Sequence, residues 1–220
     1  MGACVARRRR REQDRFGHRA KREGYAARSV YKLQEIHDKV GLLRRGARVL
    51  DLGAFPGSWT TFAAEKVQRE GKVRGYDLTP FKGALPPNAE ILCADVFELS
   101  VEELGGRRSW DVVMSDMAPA TSGHRFTDQA RSEALVMRAL ELAVQVLAPR
   151  GAFVAKIFQG GDFQEVRRAI AKHFDKVRVV RPEATRRESI EVFLCATGFK
   201  EPVEQAAPAP ESEPNPTPEG

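Results

Sequence analysis

Residues 176–198 read KVRVVRPEATRRESIEVFLCATG. Two runs rich in β-branched and apolar residues flank a link, PEATRRE, of seven residues that opens on proline. A parallel pair of strands needs a crossover of about a dozen residues or more, usually a helix. A link this short therefore predicts two antiparallel neighbours. Glu191 interrupts the second run near its start, and its place in the sheet depends on that direction.

Working outward from this pair, the chain alternates helical and extended patterns. RSVYKLQEIHDKVGLL (28–43) puts Val30, Leu33, Ile36 and Val40 on one helical face, with Gly41 as its C-cap. ARVLDLG (47–53) reads as a buried strand, and a helix follows from Ser58. KVRGYD (72–77), EILCAD (90–95) and WDVVMSD (110–116) are three further strands. A long amphipathic helix runs through ARSEALVMRALELAVQVLAP (130–149), with Pro149 as its stop. GAFVAKIF (151–158) is the fifth strand, and the helix in FQEVRRAIAKHF leads to the antiparallel pair. Strand–helix alternation predicts an α/β fold whose mostly parallel sheet is covered on both faces. Seven strands with one antiparallel form the Rossmann-like pattern of class I S-adenosylmethionine-dependent methyltransferases. The chain shows no internal repeat.

With 220 residues and 42% hydrophobic content, the chain can bury one sizeable core. No apolar run approaches the roughly 20 residues of a membrane span, and no apolar segment follows the N-terminal charges as in a signal peptide. Gly2 follows Met1, yet the sixth residue is alanine, so the myristoylation pattern fails. Cys4, Cys93 and Cys195 are scattered, which predicts reduced thiols, two of them core filler, in a cytoplasmic protein without a metal site. Charge divides the chain into three. Residues 1–24 form a basic arm of net charge +6, and residues 199–220 an acidic, proline-rich tail of −4. Between them lies the folded domain, residues 25–198. The tail cannot bury enough surface to offset its ordering entropy and is expected to be disordered. The arm suits a polyanion, because neutralising phosphates releases counterions.

After the first strand comes DLGAFPGSWTTF (51–62). Gly53 and Gly57 allow a tight turn, and the following helix presents unpaired N–H groups to an anion. The spacing is GxxxG with an internal proline, not the GxGxxG of a dinucleotide site. The helix start suits an amino-acid carboxylate better than a pyrophosphate. Asp77 ends the second strand, where a carboxylate commonly holds ribose hydroxyls. Asp95 ends the third and could accept from an adenine amino group. Each alone is an ordinary turn-forming aspartate. Together they share one edge of the sheet, and ligands bind outside the carboxyl ends of parallel strands.

Asp116 ends the fourth strand at that same edge. Lys156 lies in the apolar run FVAKIF, where an unpaired ammonium is costly. If the last strand is antiparallel, Glu191 begins at the same edge. Lys32, on the helix before the first strand, could reach across the cleft. RSVYKLQEI, VLDLGAFPGSW, YDLTP, VVMSDMAP, FVAKIFQGGDF and SIEVFLCATG resemble the FtsJ-like 2′-O-ribose methyltransferases of large-subunit ribosomal RNA, from about Asp14 to Lys200. The resemblance implies a catalytic tetrad of Lys32, Asp116, Lys156 and Glu191. It implies cofactor contacts at Gly57, Trp59, Asp77, Asp95 and Asp116, with S-adenosylmethionine as the methyl donor. The substrate it implies is a uridine ribose of 23S-type rRNA, met by a monomer within the assembled large subunit. Phe55 and Ser58 stand where the family has small residues. The arginine run and the tail are not family features.

The chemistry is consistent with that resemblance. A ribose hydroxyl attacking a methyl group needs positioning and a base at or after the transition state. Bringing a lysine from about 10.4 toward 7 needs some 4–5 kcal/mol of bias. Burial and Lys32 supply bias toward the neutral Lys156 amine, while Asp116 and Glu191 oppose it and orient both amines. A non-catalytic RNA-binding assembly factor would not need all four groups. A methyltransferase of a base amine would want an aromatic residue after strand four, and MAPA has none. An NAD oxidoreductase fails on the glycine spacing and the antiparallel strand.

Overall fold

The antiparallel pair organises the right half of the sheet. In the computed structural model, which describes residues 15–186 and 188–201, the elements follow the expected order. They are α1 (Val30–Val40), β1 (Arg48–Leu52), α2 (Ser58–Val67), β2 (Lys72–Asp77), β3 (Ala89–Cys93), β4 (Trp110–Ser115), α3 (Arg125–Val146), β5 (Leu147–Phe158), α4 (Phe163–His173), β6 (Phe174–Val180) and β7 (Glu191–Phe199). The seven strands lie in the order β3-β2-β1-β4-β5-β7-β6. β7 runs antiparallel to both β5 and β6, and the remaining pairs are parallel. The helical crossover from β5 carries the chain one strand too far, and the short return inserts β7 into the gap.

Alternation along each strand separates two apolar layers. Leu50, Val113, Phe153, Ala155, Val192 and Leu194 pack with α3 and α4 through Val136, Leu140, Val166 and Ile170. Val49, Val112, Met114, Val154, Phe193 and Cys195 pack with α1 and α2 through Leu33, Ile36, Trp59 and Phe62. Phe153, Phe174 and Phe193 are fully buried, and truncating one to alanine costs about 3–5 kcal/mol.

Several local expectations change. α3 begins at Arg125, earlier than its apolar period shows, because Asp128 accepts hydrogen bonds from the Ser122 N–H and hydroxyl at 2.7 and 2.9 Å and shapes the turn into the helix. It ends at Val146 before reaching Pro149, since Leu147 already pairs with Trp110 as the start of β5. Proline is tolerated near a strand's beginning. Cys195 is core, whereas Cys93 is exposed; Cys4 lies outside the described residues. Within the described part of the basic arm (15–24), residues 15–22 are helical and packed: Ala20 is buried, and the Arg19 guanidinium lies 4.6 Å from the Tyr31 ring centroid. Most of the arm (1–14) and of the tail (202–220) lies outside the described residues.

Candidate active site at the carboxyl edge of the sheet

Strand parity brings the charged groups to one face. Asp116 shares the side of Val112 and Met114, Lys156 that of Ala152 and Val154, and Glu191 that of Phe193 and Cys195. All three therefore point toward the layer beneath α1, where Lys32 is carried. Register supplies the second coordinate. Lys156 pairs with Phe193, and Glu191 pairs with Phe158 at the carboxyl end of β5. The Asp116 N–H continues the ladder from β4 to the Leu52 carbonyl of β1 at 3.2 Å.

The four side chains form two ion pairs. Lys32 Nζ contacts Glu191 Oε1, with both side chains mostly buried, and lies 5.9 Å from the Phe193 ring centroid. Lys156 Nζ lies 3.0 Å from Asp116 Oδ1 and donates to the Asp116 backbone carbonyl. Only 7% of Lys156 is exposed. Buried Asp116 Oδ1 faces that ammonium yet has no hydrogen bond of proper geometry among the described residues. Burial opposes the ionisation of Glu191, but the charges of Lys32 and Lys156 outweigh it and hold its pKa below the usual carboxylate range. The arrangement fixes two primary amines on one wall of a cleft, each restrained by a carboxylate.

Beside this pair of pairs lies the loop after β1. Gly53 has φ 82°, and a Cβ there would meet the Met117 backbone nitrogen at 2.9 Å, so this glycine lets the β1 and β4 ends touch. Gly57 has φ 95°; its N–H closes a turn onto Ala54, and the Phe81 ring occupies the space of a side chain. Gly57 thus shapes the loop, with its own N–H engaged inside it. No side chain caps the N-terminus of α2, which leaves its first N–H groups for an anion. Trp59 is buried, its indole N–H donating to the Ser29 carbonyl at 2.9 Å and its ring packed on Phe193. Ser58 accepts from the Ala27 N–H at 2.7 Å. These two residues pin the segment leading into α1 to the glycine loop, which positions Lys32. What remains of Trp59 for a ligand is its backbone.

Asp77 accepts from the Phe55 and Thr79 N–H groups at 3.0 and 2.8 Å, and Asp95 from the Phe97 N–H at 2.9 Å. A carboxylate offers about four acceptor positions, so both retain capacity for a ligand. The residue that sequence reasoning passed over is Asp51. It is fully buried, accepts from the Thr60 hydroxyl at 2.7 Å through Oδ2, and leaves Oδ1 without a partner among the described residues. Burial raises its pKa to about 7; the Thr60 hydrogen bond opposes this, and the negative charges of Asp116 and Asp77 add to it. The signal was available: a carboxylate inside an apolar strand, the same anomaly that singles out Lys156.

Comparison with known proteins agrees with this architecture. The family model for FtsJ-like methyltransferases matches residues 25–199. Ribosomal RNA large subunit methyltransferase E of Sorangium cellulosum is 50% identical over 181 residues, covering 82% of this chain and 85% of that protein. The protein of the same name from Desulfosudis oleivorans is 47% identical over 193 residues, covering 87% and 93%. A structure described as a ribosomal RNA methyltransferase from Plasmodium falciparum superposes with a TM-score of 0.70 at 21% identity, over 80% of this chain and 98% of that one, a likeness of fold alone. On the family model and these relatives, the chain belongs to the FtsJ-like methyltransferase family.

Proposed function

We propose that this protein methylates the 2′-hydroxyl of a ribose in large-subunit ribosomal RNA, a uridine by the family resemblance. The observation that carries the reading is the placement of Lys32–Glu191 and Asp116–Lys156 on one face, beside the glycine loop and its carboxylates. The relatives' names supply the RNA. S-adenosylmethionine, the donor that a methyltransferase of this family implies, supplies an activated methyl group on a cationic sulfur. The residues fit it. The uncapped start of α2 suits its carboxylate, Asp77 its ribose hydroxyls, Asp95 its adenine amine, and Asp116 the cationic end.

The chain's own groups do the rest. Lys156, restrained twice by Asp116, orients the substrate hydroxyl and, once its ammonium has released a proton to water, takes the hydroxyl proton at Nζ as a neutral amine. Lys32, held by Glu191, provides the neighbouring positive charge and lines the substrate side. The apolar walls of Phe193 and Met114 keep both amines out of bulk water, where their interactions with the hydroxyl would weaken. The assembled subunit is the proposed substrate, met by a cytoplasmic monomer. The test is to map 2′-O-methyl groups by mass spectrometry in RNA from a strain lacking the gene, and to restore the missing one with purified protein. Loss of one ribose methyl group is expected, restored on subunits faster than on free RNA. An unchanged ribose map, or a methyl group lost from a base, overturns the reading.

A further inference from the structure

Next to the Lys32–Glu191 pair lies a second, polar cleft of about 380 Å³, lined by Arg28, Lys32, Arg186, Glu188, Ser189 and Glu191. Its walls come from two distant parts of the chain, the segment leading into α1 and the link between β6 and β7. Glu35 of α1 ties them together, accepting from the Glu183 and Ala184 N–H groups at 2.7 and 3.1 Å. The link is braced again by Arg181, whose guanidinium donates to the Ser189 carbonyl at 2.8 Å, and by the Ser189 N–H, which donates to the Arg186 carbonyl at 3.0 Å. The cleft is therefore a built feature of the fold.

Two arginines line it, close enough for the charge of Arg186 to act on Arg28. Arg28 is half-buried and Arg186 exposed, and among the described residues neither forms an ion pair within 4.0 Å. Burial and the charge of Arg186 both lower the Arg28 pKa, against the smaller opposing effects of Glu191 and Glu188. Of the two carboxylates in the cleft, Glu191 is engaged by Lys32, and Glu188 is exposed. Bringing like charges together, partly out of water, is unfavourable unless an anion completes the set. A planar fork of N–H donors matches a phosphate bidentately, and two such forks can hold one phosphodiester from both sides.

The geometry points to Arg28 and Arg186 as a clamp for a backbone phosphate of the substrate RNA, one that seats the neighbouring ribose against Lys32 and Lys156. The assignment rests on the reading of the chain as an RNA ribose methyltransferase and names the contact that selects which ribose enters. These are positioning residues: they hold the polyanion, and the proton transfer belongs to the lysines. A phosphate is attached to every ribose, so the clamp supplies register along the strand and not base identity.

The test compares wild type with Arg186→Ala, Arg28→Ala and both arginine-to-lysine variants. Methyl transfer is followed with labelled S-adenosylmethionine on large subunits from a strain lacking the gene, and binding with a fluorescein-labelled RNA oligonucleotide across a salt series. Each alanine variant is expected to raise the KM for subunits about tenfold with a smaller change in kcat, and to flatten the log–log salt slope by about 0.7–0.9. Lysine is expected to restore the slope but not the full KM, because a point charge lacks the fork. Arg186 is exposed, so its alanine variant should keep the wild-type Tm and cofactor affinity, and it decides the matter if Arg28→Ala folds poorly. Unchanged KM and slope in Arg186→Ala, with an active wild type, overturn the clamp alone. A wild type that neither binds the oligonucleotide nor methylates subunits overturns the functional reading and the clamp with it.

Discussion

Asp111 and Asp116 stand at opposite ends of β4 and could hardly be more differently served. Asp111 accepts from the Arg48 N–H at 2.9 Å, from the Arg48 guanidinium at 3.2 Å and from Arg44 at 3.3 Å. Burial works against its charge, but these donors outweigh it and lower its pKa. Asp116 has one ammonium beside it and, among the described residues, a buried oxygen with no properly directed hydrogen bond. Asp111 is thus held by three directed donors, whereas Asp116 relies on one ion pair and keeps acceptor capacity. The amino edge of the sheet is finished structure. The carboxyl edge keeps acceptor capacity, and Asp51, whose Oδ1 has no partner among the described residues, extends that feature into β1.

The sharpest way to test this contrast is to remove the amine that answers Asp116. Lys156→Ala is expected to lower kcat at least about 100-fold, a typical general acid–base contribution, while S-adenosylmethionine affinity by calorimetry stays within a few-fold. Turnover near wild type would make Lys156 a structural counter-ion only. Asp77→Ala comes next. Charged hydrogen bonds to two hydroxyls are worth roughly 1.5–3 kcal/mol, so cofactor affinity should fall about 10- to 150-fold. Unchanged calorimetric affinity would leave Asp77 with only its bonds to Phe55 and Thr79.

Asp51 and Asp111 set opposite pH signatures against each other. A raised carboxyl pKa means that the folded state holds a proton the unfolded chain has released. The stability linked to Asp51 is thus present below about pH 4 and lost as pH rises toward 7. Asp51→Asn removes this slope but leaves a buried amide N–H₂ short of partners. Above pH 7 the variant should be more stable by about 1–2 kcal/mol, and below pH 4 less stable, with the denaturation midpoints crossing between. Parallel midpoints across that range would show that Asp51 is not protonated in the fold. Asp111 has a lowered pKa, so its contribution is present above the ordinary carboxylate range and disappears in acid. Asp111→Asn should cost about 1 kcal/mol or less near neutrality, since its arginine donors are largely exposed, and nothing measurable below its folded pKa. A change in cofactor affinity for this variant would mean that the two ends of β4 are coupled.

Much of this was legible before any coordinates. An apolar run bearing one lysine, a carboxylate at each of three strand ends and a link too short to cross over are local facts. They settle the strands, the direction of β7 and the edge at which Asp77, Asp95, Asp116 and Lys156 gather. They misled where a local rule met a tertiary partner. Pro149 looked like a helix stop, but Leu147 had already left α3 to pair with Trp110. The side chain of Trp59, a cofactor contact by the family resemblance, is held by Ser29 and Phe193, a pairing local sequence does not show. Phe55, a departure from the family loop, keeps its N–H on Asp77 and exposes its ring, so it leaves that carboxylate's support intact.

By itself the sequence determined the order and type of the main elements, that the sheet is mostly parallel, and which side chains are anomalous for their surroundings. These follow from periodicity and chain length, which act over a few neighbouring residues. Only the tertiary structure decided the pairing: Lys32 with Glu191 rather than with the other carboxylate, Asp51 within reach of the charges of Asp77 and Asp116, and Arg28 in one cleft with Arg186. Those distances join residues far apart in the chain. They are set by strand order and register, and electrostatic energy between two charges depends on the distance and on how much water lies between them, neither of which is written in local composition.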